Sequence, residues 1–482
     1  MAALRENDAT STKGYGLDGN IIAYKLDHNR DGIVDPDDDD RVLLFFGMGR
    51  GGYNYYALDV TDKNDPKFLW RKGRDDIMPG LGQTWSSPII TRVKVGDGSS
   101  QNADNLVMIV GGGYDTTQDS VPYNVDSSGN RIFMVDAIKG TLLWHAGPTN
   151  VSGLGYDSTA NFTHEKLTHS VPADIRVLDL TNDGFADRMY MADTGGQLWR
   201  FDIFNGRSAG AGASTNGSAV NSLVTGGVFA SLGNAHLTTH SVASSRRFYN
   251  APDVALMRVD GSFVINIALG SGYRGHPIND EIEDRFYALR DKQPFQPYVQ
   301  SFYNSSLVAI TDGDSGLIDV TGVTAPVVAS TALGWKLLLN QPSWQGEKVL
   351  SEARTFNNKI LFSSFTPVPS ESSTNSCVVS GVKNTFYAIN ALNGQILVQN
   401  DLQQTGIAPT PVILFPPPDA PPPDDPDDPE PPCTGDDCPP PPCVGTECTP
   451  PPVCLVGLEN CGVYLTNTPV RTFWTQQNTD TN

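Results

Sequence analysis

Five segments of the chain share one pattern. "YYALDVTDKNDPKFLW" ends at Trp70, "IFMVDAIKGTLLW" ends at Trp144, "LWRFDIFNG" spans 198–206, "FYALRD" spans 286–291 and "FYAINALNGQIL" spans 386–397. Each is an aromatic or apolar strand, then Asp or Asn, then a turn and often a second apolar strand. The Asp or Asn positions are Asp59, Asp136, Asp202, Asp291 and Asn390. A hairpin of this kind has an apolar face that only neighbouring copies can bury. The pattern predicts an all-β chain, a modified β-propeller with large insertions between and within its blades. A β-sandwich or β-helix with coincidental strands is the alternative.

The intervening sequence agrees with strands. "RVLLFFGMG", "LVMIVGGG", "RMYMAD", "SFVINIALGSG" and "KILFSSF" are short apolar runs bounded by Gly, Asn and Asp, and no ordinary-length helix shows an apolar stripe of helical period. The net charge of −21 repels nucleic acid and disfavours anionic lipid. No run approaches the roughly eighteen apolar residues that a spanning helix needs. The opening "MAALRENDATSTKGYG" has no apolar core of a signal peptide, so the chain reads as a fragment with an added Met.

Three regions follow: a propeller over 1–414, a Pro/Asp/Cys-rich insertion over 415–461, and one or two returning strands over 462–482. In the insertion, proline fixes φ and removes backbone donors, so extended chain that stays off the core is expected. Six cysteines crowd between Cys433 and Cys461 as C-x4-C, C-x4-C and C-x6-C, and Cys377 stands apart. A zinc ribbon is one reading, but zinc sites favour C-x2-C. Small disulfide loops fit the spacing better and imply an oxidising compartment.

Two short runs carry the clearest chemistry. In "DLTNDGFAD", Asp179, Thr181, Asp183 and Asp187 stand at positions 1, 3, 5 and 9 of a calcium-type loop, Gly184 at 6 and Phe185 at 7. Calcium wants six to eight oxygens, Gly permits the sharp turn, and position 7 lends its backbone carbonyl. Position 12 is Tyr190, so no EF-hand glutamate closes the set, and a loop on a β scaffold is implied. In "DHNRDGIVDPDD", Asp27, Asn29, Asp31, Ile33, Asp35 and Asp38 occupy positions 1, 3, 5, 7, 9 and 12. The competing reading for both is an Asp-rich turn. "TDGDSGLID" at 311–319 is a partial match and reads as a turn. Apart from His28 at a non-ligand position, the loops hold only oxygen ligands, which disfavours zinc, copper and iron.

No catalytic constellation stands out. His236 and His240 in "HLTTH" lack a helix signal and a third ligand. "FGMGRGG" and "VGGGYD" lack dinucleotide-binding spacing and read as strand ends.

Several motifs occur in an order that resembles one family. "LFFGMGRGGYNYYALDVTD", "LGQTWSSPIITRV", "VGGGYD", "SVPADIRVLDLTNDGFADRMYMADTGGQLWRFDI", "ALGSGYRGHPINDEIEDRFYALRD" and the terminal "RTFWTQQ" resemble the C-terminal domain of the PilY family (PilC in neisserial species). These are type IV pilus biogenesis factors and tip-associated adhesins. The resemblance covers about 21–410 and the last strand, with 168–202 its most specific part. It implies a quinoprotein-dehydrogenase-like propeller with a calcium loop at Asp179, Thr181, Asp183, Phe185 and Asp187. Thr181 departs from the usual acidic residue. It implies calcium-dependent antagonism of pilus retraction, surface attachment, twitching motility and surface sensing. The implied partners are minor pilins at the pilus tip and a host-cell or abiotic surface ligand. The implied location is the cell surface, outer-membrane-associated, reached through the periplasm. Full-length members carry an N-terminal region, often von Willebrand factor A-like, that is not seen here. No Arg-Gly-Asp tripeptide occurs to support integrin binding. The strands also resemble quinoprotein dehydrogenases, which leaves a periplasmic oxidoreductase as the alternative function.

Overall fold

The computed structural model describes residues 15–29, 31–94, 106–149, 158–205, 224–339, 345–367, 382–404, 406–415 and 452–463. Their strands form six sheets. The first is β1 (Ile21–Leu26), β2 (Arg41–Gly47), β3 (Asn54–Asp59) and β4 (Lys67–Gly73), in that order. The second is β5 (Ile89–Arg92), β6 (Leu106–Gly111), β7 (Ile132–Asp136) and β8 (Leu142–Pro148), with β9 (Phe162–His164) added parallel to β8. The third is β10 (Arg176–Leu178), β11 (Arg188–Ala192), β12 (Gln197–Ile203) and β13 (Val224–Ser231), with β17 (Ile310–Thr311) parallel to β13. The fourth is β14 (Asp253–Val259), β15 (Ser262–Gly270), β16 (Arg285–Asp291) and β19 (Gly334–Leu338), with β18 (Leu317–Asp319) parallel to β19. In the fifth, β20 (Lys348–Val349) and β21 (Arg354–Phe356) both pair with β22 (Lys359–Pro367), followed by β23 (Val382–Asn390) and β24 (Ile396–Leu402). The sixth is smaller: β25 (Val412–Leu414), β26 (Val453–Val456) and β27 (Glu459–Asn460). The described residues include one α-helix, Gln300–Ser305; none is long and apolar enough to cross a membrane.

The five sequence repeats are the third strands, β3, β7, β12, β16 and β23, one per large sheet. Their Asp or Asn has a local job. Asp59, Asp136, Asp291 and Asn390 each accept from the backbone N–H two residues on: Thr61 (3.0 Å), Ile138 (2.9 Å), Gln293 (3.0 Å) and Leu392 (2.9 Å). The side chain thus starts the turn into the fourth strand. Two fourth-strand tryptophans then lock adjacent sheets. Trp70 Nε1 donates to the Ala137 carbonyl and Trp335 Nε1 to that of Ala391, each at 3.0 Å. Each acceptor directly follows the Asp or Asn of the next sheet. Gly140 and Gly394, at φ +68° and +76°, lie beneath these indoles, where an added Cβ would meet the ring at 2.7 and 3.0 Å.

Burial explains why "LVMIVG" reads as an unbroken apolar run. Leu106, Met108 and Val110 pack towards the first sheet with Leu43 and Phe45. Val107 and Ile109 pack towards the third with Met191 and Trp199. The same sandwiching joins the third and fourth sheets through Tyr190 and Ile267, the fourth and fifth through Phe286 and Phe362, and the fifth and sixth through Leu361 and Val456. Residues at the starts of the first strands of all six sheets, from Asn20 and Ser87 to Thr410, line one cavity of about 840 Å³. These strands therefore surround a common axis, and the architecture is propeller-like, all-β.

The sixth sheet lies partly inside 415–461, which was expected to stay off the core. Strand structure resumes at Val453 rather than at 462, with Cys454 and Val456 buried against Leu361 and Phe386. Cys454 and Cys461 form a disulfide with Cα atoms 5.4 Å apart. Cys377, Cys433, Cys438, Cys443, Cys448 and residues 464–482 lie outside the described residues.

Candidate functional site

Both acidic runs close the same kind of hairpin, between the first and second strands of a sheet. The run 27–40 joins Leu26 to its partner Arg41, and 179–187 joins Leu178 to its partner Arg188. The fourth sheet spans this position with the two-residue turn Asp260–Gly261, so nothing in the fold demands a long acidic loop there.

The two loops share their internal hydrogen bonds. Gly32 N donates to Asp27 Oδ2 at 3.0 Å, and Gly184 N to Asp179 Oδ2 at 2.8 Å. Ile33 N donates to Asp31 Oδ1 at 2.7 Å, and Phe185 N to Asp183 Oδ1 at 3.1 Å. Both glycines lie in the left-handed region, at φ +82° and +85°. Backbone donors thereby orient the carboxylates at positions 1 and 5 in each loop.

The last loop residue is a buried clamp in both. Asp187, 5% exposed, accepts at Oδ2 from Leu180 N (2.8 Å), Thr181 N (2.9 Å) and Thr181 Oγ1 (2.9 Å). Asp40, 2% exposed, accepts from His28 N (2.8 Å) and Asp35 N (3.1 Å). Asp40 therefore takes in the first loop the place that Asp187 takes in the second. Spacing alone points to Asp35, which instead caps a turn of 3₁₀ helix by accepting from Asp37 N at 2.9 Å. The signal for Asp40 is its place immediately before the strand arginine, Arg41, as Asp187 precedes Arg188.

Charge separates the loops. Lys25 Nζ lies 3.0 Å from Asp27 Oδ2, so the first loop's leading carboxylate already has a cation. Val177 stands at the corresponding position of the second loop, and Asp179 has no Lys, Arg or His within 4.0 Å among the described residues. Burial pushes the Asp179 pKa above its ordinary value, and the Asp187 charge adds to the rise, against hydrogen bonds from the loop backbone. Ile33 is 66% exposed. Asn29 bridges Asp31 and Asp38, donating at 3.0 and 2.9 Å. Among the described residues no three His, Cys, Asp or Glu side chains converge closely enough to hold a metal ion. The loop backbones fit a cation-wrapping turn; the carboxylates would have to draw together around an ion.

Beyond the second loop lies a group of residues that sequence reasoning passed over. Arg188, 1% exposed, donates to Asp202 at 2.7 Å and to the carbonyls of Gln293, Pro294 and Gln296. Arg200 pairs with Asp202 and Asp291 at 3.0 and 2.7 Å, and Tyr303 donates to Asp202 at 2.7 Å. Asp202 and Asp291 are thus the two repeat anchors drawn into an ion network, and the guanidiniums hold the Asp202 carboxyl below the ordinary range despite burial. The partial match at 311–319 is a turn, in which Asp314 accepts from Thr311 N at 2.7 Å. His240 packs at a tilt against Tyr123 with ring centroids 4.0 Å apart.

No protein-family model matches the chain. The type IV pilus biogenesis factor PilY1 of Pseudomonas aeruginosa strain UCBPP-PA14 is 29% identical over 162 residues, 34% of this chain and 11% of that protein. A PilY1 homolog of Xylella fastidiosa strain Temecula1 is 27% identical over 187 residues, 39% of this chain and 12% of that protein. The chain thus matches only 11–12% of the length of these curated relatives. The crystal structure of the Pseudomonas aeruginosa PilY1 C-terminal domain superposes with TM-score 0.54 at 18% identity, covering 82% of this chain and 74% of that one. That likeness is one of fold. A europium-containing methanol dehydrogenase reaches only TM-score 0.34 at 12% identity, too little to carry an argument.

Proposed function

Since the chain is homologous to the type IV pilus biogenesis factor PilY1, we propose that it acts in pilus biogenesis as a calcium-binding, tip-associated adhesin that antagonises retraction. It supports surface attachment and twitching motility, works outside the cell after export through the periplasm, and contacts minor pilins. It is not an enzyme; the named relatives are biogenesis factors. The Cys454–Cys461 disulfide suits an exported protein.

The observation that carries the calcium reading is Asp179. It is a partly buried carboxylate beside Asp183 and Asp187, oriented by Gly184 N and with no cationic side chain within 4.0 Å among the described residues. Calcium would supply the neutralising charge, with Asp179, Thr181, Asp183, Phe185 and Asp187 as its loop. Asp187 already ties the head of the loop to the start of β11, and Arg188 continues into the ion network that reaches residues 293–296. Closing the loop would stiffen this junction of the third and fourth sheets and alter the surface offered to a pilin. Such a switch requires different calcium affinities in two states. In the loop 27–40, Asp27, Asn29, Asp31, Ile33, Asp35 and Asp38 form a second, weaker site, because Lys25 competes for Asp27.

The test replaces Asp179 and Asp183 with Ala in the full-length gene. The tighter of the two calcium-binding events seen by calorimetry should be lost and piliation should fall in a retraction-competent strain; unchanged binding and piliation refute the proposal. A quinoprotein-like oxidoreductase would instead show a new visible absorbance band on addition of quinone and calcium.

A further inference from the structure

The axial cavity lies at the starts of the inner strands, and both acidic loops lie at the ends of such strands. Two arginines meet in it that the chain keeps far apart. Arg50 follows β2 and Arg274 follows β15, and both line the cavity. Their neighbours Arg176 and Arg354 share Glu352 at 3.7 and 2.7 Å. Arg50 reaches Asp119 only at 3.9 Å. Arg274 donates to the Leu350 carbonyl at 3.3 Å and has no carboxylate within 4.0 Å among the described residues. Burial, and then the nearby Arg50 charge, hold the Arg274 pKa below the ordinary guanidinium value.

The walls complement this pair. The Arg50 guanidinium sits 4.8 Å from the Trp85 ring centroid, and Trp85 stacks on Tyr114 at 4.2 Å. Stacking occupies the face of a guanidinium and leaves its N–H edge for an acceptor in the plane. Asn250 Nδ2, also on the cavity, is buried without an acceptor among the described residues. Of the three acids on the wall, Asp18 is exposed to solvent beside Gly49, and Glu352 is taken by two arginines. Asp174 accepts from Ser87 N at 2.5 Å and is pushed up to about 6, chiefly by burial. Two adjacent cations and an unsatisfied buried donor are unfavourable, and an anion would relieve both.

We infer that the axial cavity binds a small molecule bearing a carboxylate or phosphate, its oxygens held by Arg50 and Arg274, with Asn250 as a further donor and Trp85 as a flat wall. The volume of about 840 Å³ leaves room for more than the anionic group itself. This site is independent of the calcium loops and stands if they bind nothing.

Calorimetric titration and thermal unfolding of the whole chain test it. The probes are inorganic phosphate and, separately, succinate, without calcium and at ionic strength fixed with sodium chloride. At least one probe should bind saturably to a single site and raise Tm. Its affinity should drop by about tenfold or more in Arg50→Gln and in Arg274→Gln, as loss of a charged hydrogen bond predicts. A response to phosphate alone assigns a phosphate ligand, and one to succinate alone a carboxylate. Without anion, Arg274→Gln should unfold no earlier than the parent, because it removes like-charge repulsion; this separates lost binding from lost fold. Equal responses in parent and variants, or no saturable heat from either probe up to millimolar concentrations, overturn the proposal.

Discussion

The hairpin loops 27–40 and 179–187 begin alike and end differently. Both start with the same carboxylate-to-glycine bond and finish on a buried aspartate followed by arginine. The first leads into Arg41, half-buried, and carries its own cation in Lys25. The second leads into Arg188, whose guanidinium is buried against Asp202 and three carbonyls. The same turn chemistry is a self-contained surface feature in one sheet and the outer end of an interior ion network in another. A loop of the second kind can report its state to the core.

Breaking that contrast should have its largest effect at the arginines. Arg188→Ala would strand the buried Asp202 carboxylate, and removing one partner of a buried pair costs about 3–5 kcal/mol. Arg41→Ala should stay within about 0.5 kcal/mol. Urea unfolding of the two variants compares them directly, and equal midpoints would erase the distinction.

The clamps come next. Asp187→Ala leaves the Leu180 and Thr181 donors without their acceptor, and Asp40→Ala does the same to His28 and Asp35. Each should cost about 1–3 kcal/mol. Asp35→Ala removes only a helix cap and should cost about 1 kcal/mol or less. If Asp35→Ala proved as damaging as Asp40→Ala, the correspondence of Asp40 with Asp187 would be wrong.

That correspondence marks where the residue pattern stops being informative. The repeated strands were legible because each Asp or Asn has a fixed task, accepting the N–H two residues on, and Trp70 and Trp335 need a glycine beneath them. Asp40 was hidden because extra residues in the first loop move it out of the spacing that Asp187 obeys. The short strands β9, β17 and β18 add to sheet edges in parallel and carry no alternation of their own. The sixth sheet was hidden because "VCLV" sits beside a proline tract, and its apolar residues are explained only by the face of the fifth sheet. Arg50 and Arg274 are single residues in unrelated turns, and ring closure alone brings them to one cavity.

A smaller effect concerns Lys25. Its ammonium offsets the charge on Asp27, so Lys25→Gln should strengthen any calcium binding at 27–38 a few-fold. Exposed or partly exposed ion pairs are worth only about 0.2–1 kcal/mol. Calorimetry in an Asp179→Ala, Asp183→Ala background isolates this loop. No gain in calcium affinity on removing Lys25 would show that its charge is not what weakens the first loop.

The smallest effect is a pH dependence confined to the second loop. Burial, reinforced by Asp187, raises the folded-state pKa of Asp179 above its ordinary value of 3.8. Folding therefore favours protonated Asp179. Its contribution is fully present below the unfolded value and is lost as pH rises through the raised one. Because Asp179 is partly exposed, the change is small. Asp179→Asn should flatten the fall of Tm with pH just above 3.8 without altering its shape near neutrality. Saturating calcium should invert the sign, since an ion that binds the carboxylate favours the charged form. A parent and an Asp179→Asn variant with superimposable Tm–pH curves, with and without calcium, would mean that the carboxylate is as solvated as a surface turn and that the two loops differ only in where their arginines go.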